Sequence, residues 1–302
     1  MTSIDRAWLS ARAENYRRVL DRIGLPAWFL AIDLLWIAKP QVFAIDARHY
    51  QKAATAWLAG QDPWQVRELG VLFAAPPHTL LAYAPTSFLP FELAVTLWMV
   101  AGVAAAVWTV RRLGLSLWWV AFPPLAHALW NGNPESFVLA LLVVNHPLAS
   151  AGALALKLYV GVQLLFRPRH LIVAGLIVGL ATLVLPWQQY LAAGVSEHLE
   201  GAWNGSAYRF PILLIPTVAA LIVLYRKGGE WWSIPAVWPA TQFYYVATVL
   251  PAVAGKKVLA GIVALPVPLL VPIVVIVLAA RELWAMRNRL PAGREAPTAP
   301  AS

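Results

Sequence analysis

The sequence is a string of nine apolar runs, and the rest of the chain has to be arranged around them. They cover roughly residues 24–39, 91–110, 115–130, 134–147, 149–166, 171–186, 211–225, 232–252 and 258–281. Such runs bury themselves either in a large protein core or in a bilayer. Charge separates the two. Only 12% of the 302 residues are Asp, Glu, Lys or Arg, against about 25% in an average soluble domain. That is too little to cover a water-exposed surface of this size, and it excludes a disordered chain as well. The expected architecture is all-α: a polytopic transmembrane helical bundle forming a single domain over residues 1–289, followed by a disordered Pro- and Ala-rich tail at 290–302. About eight spans plus re-entrant half-helices are expected, because several runs fall short of the ~20 residues of an ordinary span.

The net charge of +9 fits this class. In a soluble chain it would point to nucleic acid; in a membrane chain it is the Lys and Arg excess of cytoplasmic loops, and no nucleic-acid partner is expected. Residues 1–23 read as a cytoplasmic amphipathic helix, with Trp8, Leu9, Tyr16, Val19, Leu20 and Ile23 on one face and most of five arginines off it. The arginine-bearing stretch ahead of the first run does not match a secretory signal. With both termini inside, 40–90, Asn131-Gly132-Asn133 and 187–210 fall outside. Arg111-Arg112, Asn145-His146-Pro147 and Arg226-Lys227 fall inside. Arg167 and Arg169 stay inside if 149–166 is a hairpin of two half-helices around Lys157. This arrangement puts 15 of the 23 basic residues inside. The remaining eight are Lys39, Arg48, Lys52, Arg67, Lys157, Arg209, Lys256 and Lys257.

The outer segment 40–90 gathers Asp46, Arg48, His49, Lys52, Asp62, Arg67, Glu68 and His78. Polarity next to a membrane face is costly unless it is solvated, paired or used. Residues 46–59 predict a short helix stopped by Gly60 and Pro63. Asp46, His49, Tyr50, Ala53 and Trp57 share one face of it, and Arg48 and Lys52 another. A carboxylate in the first turn is favoured by the helix dipole and can accept a proton. From spacing alone, an N-cap is the more ordinary role for Asp46. Asp62, in an Asp-Pro-Trp sequence, is a second base or sugar ligand, or a turn residue, which is the commoner role.

The run Asp46-x3-Tyr50-x2-Ala53-x4-Leu58-x-Gly60-x-Asp62-Pro63-Trp64 resembles the opening signature of polyprenol-phosphate-mannose-dependent mannosyltransferases, integral membrane glycosyltransferases of the C-type fold. The order of later motifs is similar too: Phe73 and Pro76-Pro77, Gly132-Asn133, the hairpin Lys157, Asn204-Gly205-Ser206, and Pro239-Ala240-Thr241-Gln242-Phe243-Tyr244-Tyr245. The chain carries Leu158 where many members have Pro, and Tyr244 or Tyr245 where the late motif often holds a His. The resemblance implies a lipid-linked sugar phosphate as donor, a glycolipid or glycan acceptor, and an outer-side catalytic base, here Asp46. A departing lipid phosphate needs positive charge or hydrogen-bond donors, for which Arg48, Lys52, Lys157 and Arg209 are candidates. The further substrate-binding candidates are His49, Tyr50, Asp62, Asn204, Tyr244 and Tyr245.

No Cys-based chemistry is possible, since the chain has no cysteine. The six His are scattered without metal-ligand spacing, and no cofactor or metal is expected. Asp33, inside the first run, is expected to have a packed partner in the bundle, and His127 to be a buried, hydrogen-bonded histidine. His78 ranks low as a site residue. Asn204-Gly205-Ser206 fits either a glycosylation acceptor or a sugar-contacting loop. Two other functions fit the composition: a transporter or flippase for a lipid-linked or anionic substrate, and an inactive glycosyltransferase-like envelope protein.

Overall fold

The structure, a computed structural model, describes residues 23–193 and 205–289. Most of the expected amphipathic helix over 1–23, the tail at 290–302 and Asn204 lie outside the described residues. Helix α1 (Ile23–Ile37) is followed by a 3-10 turn at Pro40–Val42 and by α2 (Ile45–Leu58). A turn at Pro63–Gln65 and a hairpin of β1 (Arg67–Glu68) and β2 (Val71–Leu72) lead to the short α3 (Leu80–Tyr83). Then come α4 (Phe91–Arg112), α5 (Pro123–Asn131), α6 (Glu135–Val144), α7 (Pro147–Leu156), α8 (Val160–Leu164), α9 (Pro168–Thr182) and α10 (Trp187–Ala192). From residue 205 on, the elements are α11 (Pro211–Val223), α12 (Glu230–Val237), a 3-10 run at Phe243–Val249, α13 (Leu250–Val253), α14 (Lys257–Val263) and α15 (Leu270–Arg289). The fold is all-α apart from the hairpin, as expected.

Proline sets the helix lengths. Pro123, Pro147, Pro168 and Pro211 stand in the first turns of α5, α7, α9 and α11, where the missing N–H costs nothing. The apolar runs are thereby cut into helices of 9 residues in α5, 10 in α6 and α7, and 15 in α9. Among the described residues, α4 is the one helix long and apolar enough to cross a membrane. Its 22 residues extend about 33 Å. Glu92 in its first turn and Arg111 and Arg112 in its last complement its dipole. Helix α1 and the segment Pro40–Leu58 meet the same criterion only as a pair bent by 85°. The expected count of eight spans therefore does not follow from helix length.

Among the described residues, the three larger groups of buried side chains organise the interior. Phe29 and Ile32 of α1 pack with Trp119, Phe122 and Leu125, and with Leu221, Trp232, Leu250 and Val275 from later helices. Val138, Leu154, Tyr159, Val160, Ala174, Ile234 and Tyr245 form a second group. Tyr50, Ala53, Trp64, Phe73, Leu80 and Tyr83 form a third, within the 40–90 segment. Outward faces are apolar as well: Leu30 and Leu34 on α1, Ile172, Leu176 and Leu180 on α9, and Ile212, Ile215 and Ile222 on α11 are exposed. Spacings of three, four and seven residues put these side chains on one face of each helix.

Candidate active site

Helix α2 begins where α5 ends. Ala44, at the N-cap of α2, adopts a left-handed φ of 55° and makes no side-chain cap. Its N–H donates instead to the Trp130 carbonyl at 2.8 Å. The cap position is thus occupied, and Asp46 is not an N-cap. The ordinary reading of its spacing fails because a long-range backbone bond fixes the start of the helix.

Gly132 closes α5 with φ at 68° and runs directly against α2. A Cβ at this position would lie 2.6 Å from Ala47 Cβ and 2.7 Å from Met99 Sδ. The same approach brings Asn133 to Asp46, with Asn133 Nδ2 donating to Asp46 Oδ2 at 2.7 Å. Asn133 Oδ1 is engaged by the Glu135 N–H at 3.1 Å, so the amide can present only its NH2 to the carboxyl. Gly132→Ala should destabilise the protein by roughly 2–4 kcal/mol, from the left-handed backbone and the overpacking together. The thermal midpoint of the purified variant checks this, and an unchanged midpoint would refute the close approach.

Lys157 arrives from the break between α7 and α8. It is the C-cap of α7, in an extended conformation, and two short helices, α7 and α8, flank it. Lys157 is buried, and Nζ donates to the Tyr50 hydroxyl at 2.7 Å. The ammonium lies 5.2 Å from the centre of the Tyr50 ring and 6.0 Å from that of Tyr245. Tyr50 stacks on Tyr83 at 4.9 Å. Tyr159 donates to Glu135 and packs on Tyr245 at 4.3 Å. Asp46, Tyr50 and Glu135 all act electrostatically on Tyr244 and Tyr245. Asp46, Tyr50, Lys157, Tyr244 and Tyr245, drawn from three distant stretches of sequence, are therefore one neighbourhood.

Burial pushes the Asp46 carboxyl above its ordinary 3.8, against the opposing pull of the Asn133 amide, the Lys157 ammonium and His49. His49 is buried, and burial lowers its pKa. The ring donates from Nε2 to the Val66 carbonyl at 3.2 Å. It stays within electrostatic reach of Asp46.

Other predicted residues stand outside the cluster. Arg48 makes a two-pronged ion pair with Glu92, at 2.9 and 2.8 Å. It lies two residues from Asp46 and so on another face of α2. Lys52 pairs with Glu68. Asp62 accepts from the Trp64 N–H at 2.9 Å and is the turn residue. Arg209 is exposed at the end of the turn Ala207–Arg209. Ser206, two residues after the undescribed Asn204, is buried with its hydroxyl donating to the Trp238 carbonyl at 2.6 Å. The buried His78 has Nδ1 2.5 Å from the Ala155 carbonyl. Glu135 and Tyr159 were not singled out in the sequence. A carboxylate at the head of an apolar run was the signal for the first; nothing local marks the second. Among the described residues no three His, Asp or Glu side chains come together as a metal-ligand set.

The arrangement holds a carboxylate fixed by one amide, an ammonium within electrostatic reach of it, and several buried tyrosines. No protein-family model matches the chain, and no curated protein or solved structure matches it.

Proposed function

We propose that the chain is an integral membrane glycosyltransferase that moves a hexose, mannose by resemblance, from a polyprenyl-phosphate donor to an acceptor hydroxyl. The observation that carries this reading is the convergence of Asp46, Asn133 and Lys157, the resemblance motifs, on one point around Tyr50. Asp46 takes the proton of the acceptor hydroxyl as its oxygen bonds to the anomeric carbon. The bond from that carbon to the lipid phosphate breaks, and the electron pair leaves on the phosphate. Attack opposite the phosphate inverts the centre. A carboxyl with a raised pKa is the stronger base for a hydroxyl proton. Lys157 supplies positive charge to the departing phosphate. Arg48 and Lys52, held by Glu92 and Glu68, have no part in this proposal.

The reading places the chain in the cell membrane as a multi-pass protein, with cytoplasmic termini and Asp46 on the outer face. The exposed apolar stripes of α1, α9 and α11 support it, as contiguous apolar exteriors mark partner or membrane contact. The reading puts the two ends of α6, Glu135 and Val144, on opposite sides. Asn133 before it meets Asp46, and Asn145 after it accepts from Arg167 Nη1 at 3.0 Å. The chain has no cysteine, so introduced ones report cleanly. Gln61→Cys should react with a membrane-impermeant maleimide on intact cells, and Lys227→Cys only after permeabilisation. The reverse pattern would overturn the topology. In proteoliposomes, the radiolabelled sugar of a polyprenyl-phosphate hexose should reappear on acceptor. Label that crosses the bilayer still attached to its lipid would instead mark a transporter.

Asn133 stabilises the ionised form of Asp46. Asn133→Ala should raise the pKa of the base further, so the acid limb of the pH–rate profile moves to higher pH. Loss of rate without a shifted limb would remove Asn133 from this role.

A further inference from the structure

Helix α4 ends in two guanidiniums that the fold does not neutralise. Neither Arg111 nor Arg112 makes an ion pair or a side-chain hydrogen bond among the described residues. Two described carboxylates fall on the inner side with them in the proposed topology, Glu230 and Glu282, and these pair with Arg167 and Lys227. The last carbonyls of α4 do not require the arginines either. Those of Thr109, Val110 and Arg111 accept from the N–H groups of Leu113, Leu115 and Gly114, each at 3.0 Å. The helix dipole supplies about half a negative charge at this end, against two positive ones.

The same two residues border a groove of about 530 Å³, whose other walls are Ala104, Val107 and Trp108. Spacings of three and four residues put all five on one face of α4. Ala104, Trp108, Arg111 and Arg112 are exposed, so a ligand can reach them. Trp108 stands one turn before the arginines, between them and the apolar part of the groove. Beyond Ala104, the exposed Val100 and Val103 carry the apolar face further along the helix. The face thus runs in order from hydrocarbon to indole to cation, on the one described helix long enough to cross a membrane.

We propose that this groove holds the head of an anionic phospholipid. The phosphate accepts charge-assisted hydrogen bonds from Arg111 and Arg112, whose planar forks match its oxygens. Trp108 lies beside the ester region, the depth at which indoles gather in bilayers. An acyl chain follows Ala104, Val103 and Val100. Free phosphate would leave the apolar part of the groove uncovered, and a zwitterionic lipid would bring a further cation to a cationic site. The inference rests on the membrane placement proposed above and is independent of the chemistry assigned to Asp46.

The test is photolabelling of the full chain in phosphatidylcholine nanodiscs, with a trace of phosphatidylglycerol or of phosphatidylcholine carrying the same diazirine-bearing acyl chain. Label on residues 100–112 should be at least about fivefold higher from phosphatidylglycerol, the factor for one arginine near an anionic head. Label on the exposed faces of α9 and α11 should be equal from both lipids. Arg111→Gln combined with Arg112→Gln, both at exposed positions, should bring the α4 ratio to one, and Arg226→Gln should leave it unchanged. Equal enrichment on α4, α9 and α11 would mean diffuse attraction to a basic surface and would overturn the site. An unchanged ratio in the double variant would overturn it too. No label on α4 from either lipid, with α9 and α11 labelled, would mean that a second copy or another segment of the chain covers this face, again overturning the proposal. A chain that stays outside the discs would refute the membrane placement, and the site with it.

Discussion

Asp46→Asn should lower the turnover of sugar transfer by about 10³-fold, within the usual range for loss of a positioned general base. The substitution keeps the shape of the side chain, and an Asn amide oxygen can still accept from Asn133. It removes only the capacity to take a proton. The fold prefers this carboxyl neutral, as its raised pKa indicates. A neutral amide should therefore leave the thermal midpoint unchanged or higher at pH 7. Sign and size both matter here. A group whose folded pKa is raised loses its contribution to stability as pH rises through that pKa, and Asn escapes the loss. Lower activity with equal or greater stability separates a catalytic role from a structural one. A variant that loses both together would speak for structure alone.

Lys157→Met is the second large effect, about 10²-fold in turnover, comparable to the loss of one oxyanion-stabilising donor. Met preserves the length and apolar body of the side chain but not its charge. The departing phosphate then loses its nearby cation, and Asp46 loses a charge that favours its ionised form. The acid limb of the pH–rate profile should move to higher pH along with the loss of rate. Tyr50→Phe provides the control. It removes the hydroxyl that accepts from Lys157 but keeps the ammonium, and it should cost far less. If both variants fall equally and neither limb moves, Lys157 serves only to tie α2 to the α7–α8 break.

How much of this was legible in the sequence varies residue by residue. Helix α2 was, because its spacing and the stop at Gly60, with φ at 73°, are local signals. The break at Lys157 was, because short apolar runs and a lone cation mark it. That Asp46 is not an N-cap was not. Local spacing favoured a cap, and the backbone bond from Ala44 to Trp130 that excludes it joins residues distant in sequence. Arg48 was a phosphate candidate for its charge on the outer side, but it is held by Glu92. Tyr159 gave no sign, because its value lies in reaching Glu135 across a fold. The apolar runs were plain, yet their prolines cut them below spanning length, so sequence runs and helices do not correspond one to one.

The central claim is cleavage of a lipid-linked sugar phosphate with Asp46 as base. The most direct measurement incubates purified protein with acceptor and a panel of polyprenyl-phosphate hexoses, and reads free polyprenyl phosphate. The account predicts release from at least one donor by the wild type and none above background by Asp46→Asn. Equal release by Asp46→Asn, or no release from any donor by a folded wild type, would contradict it.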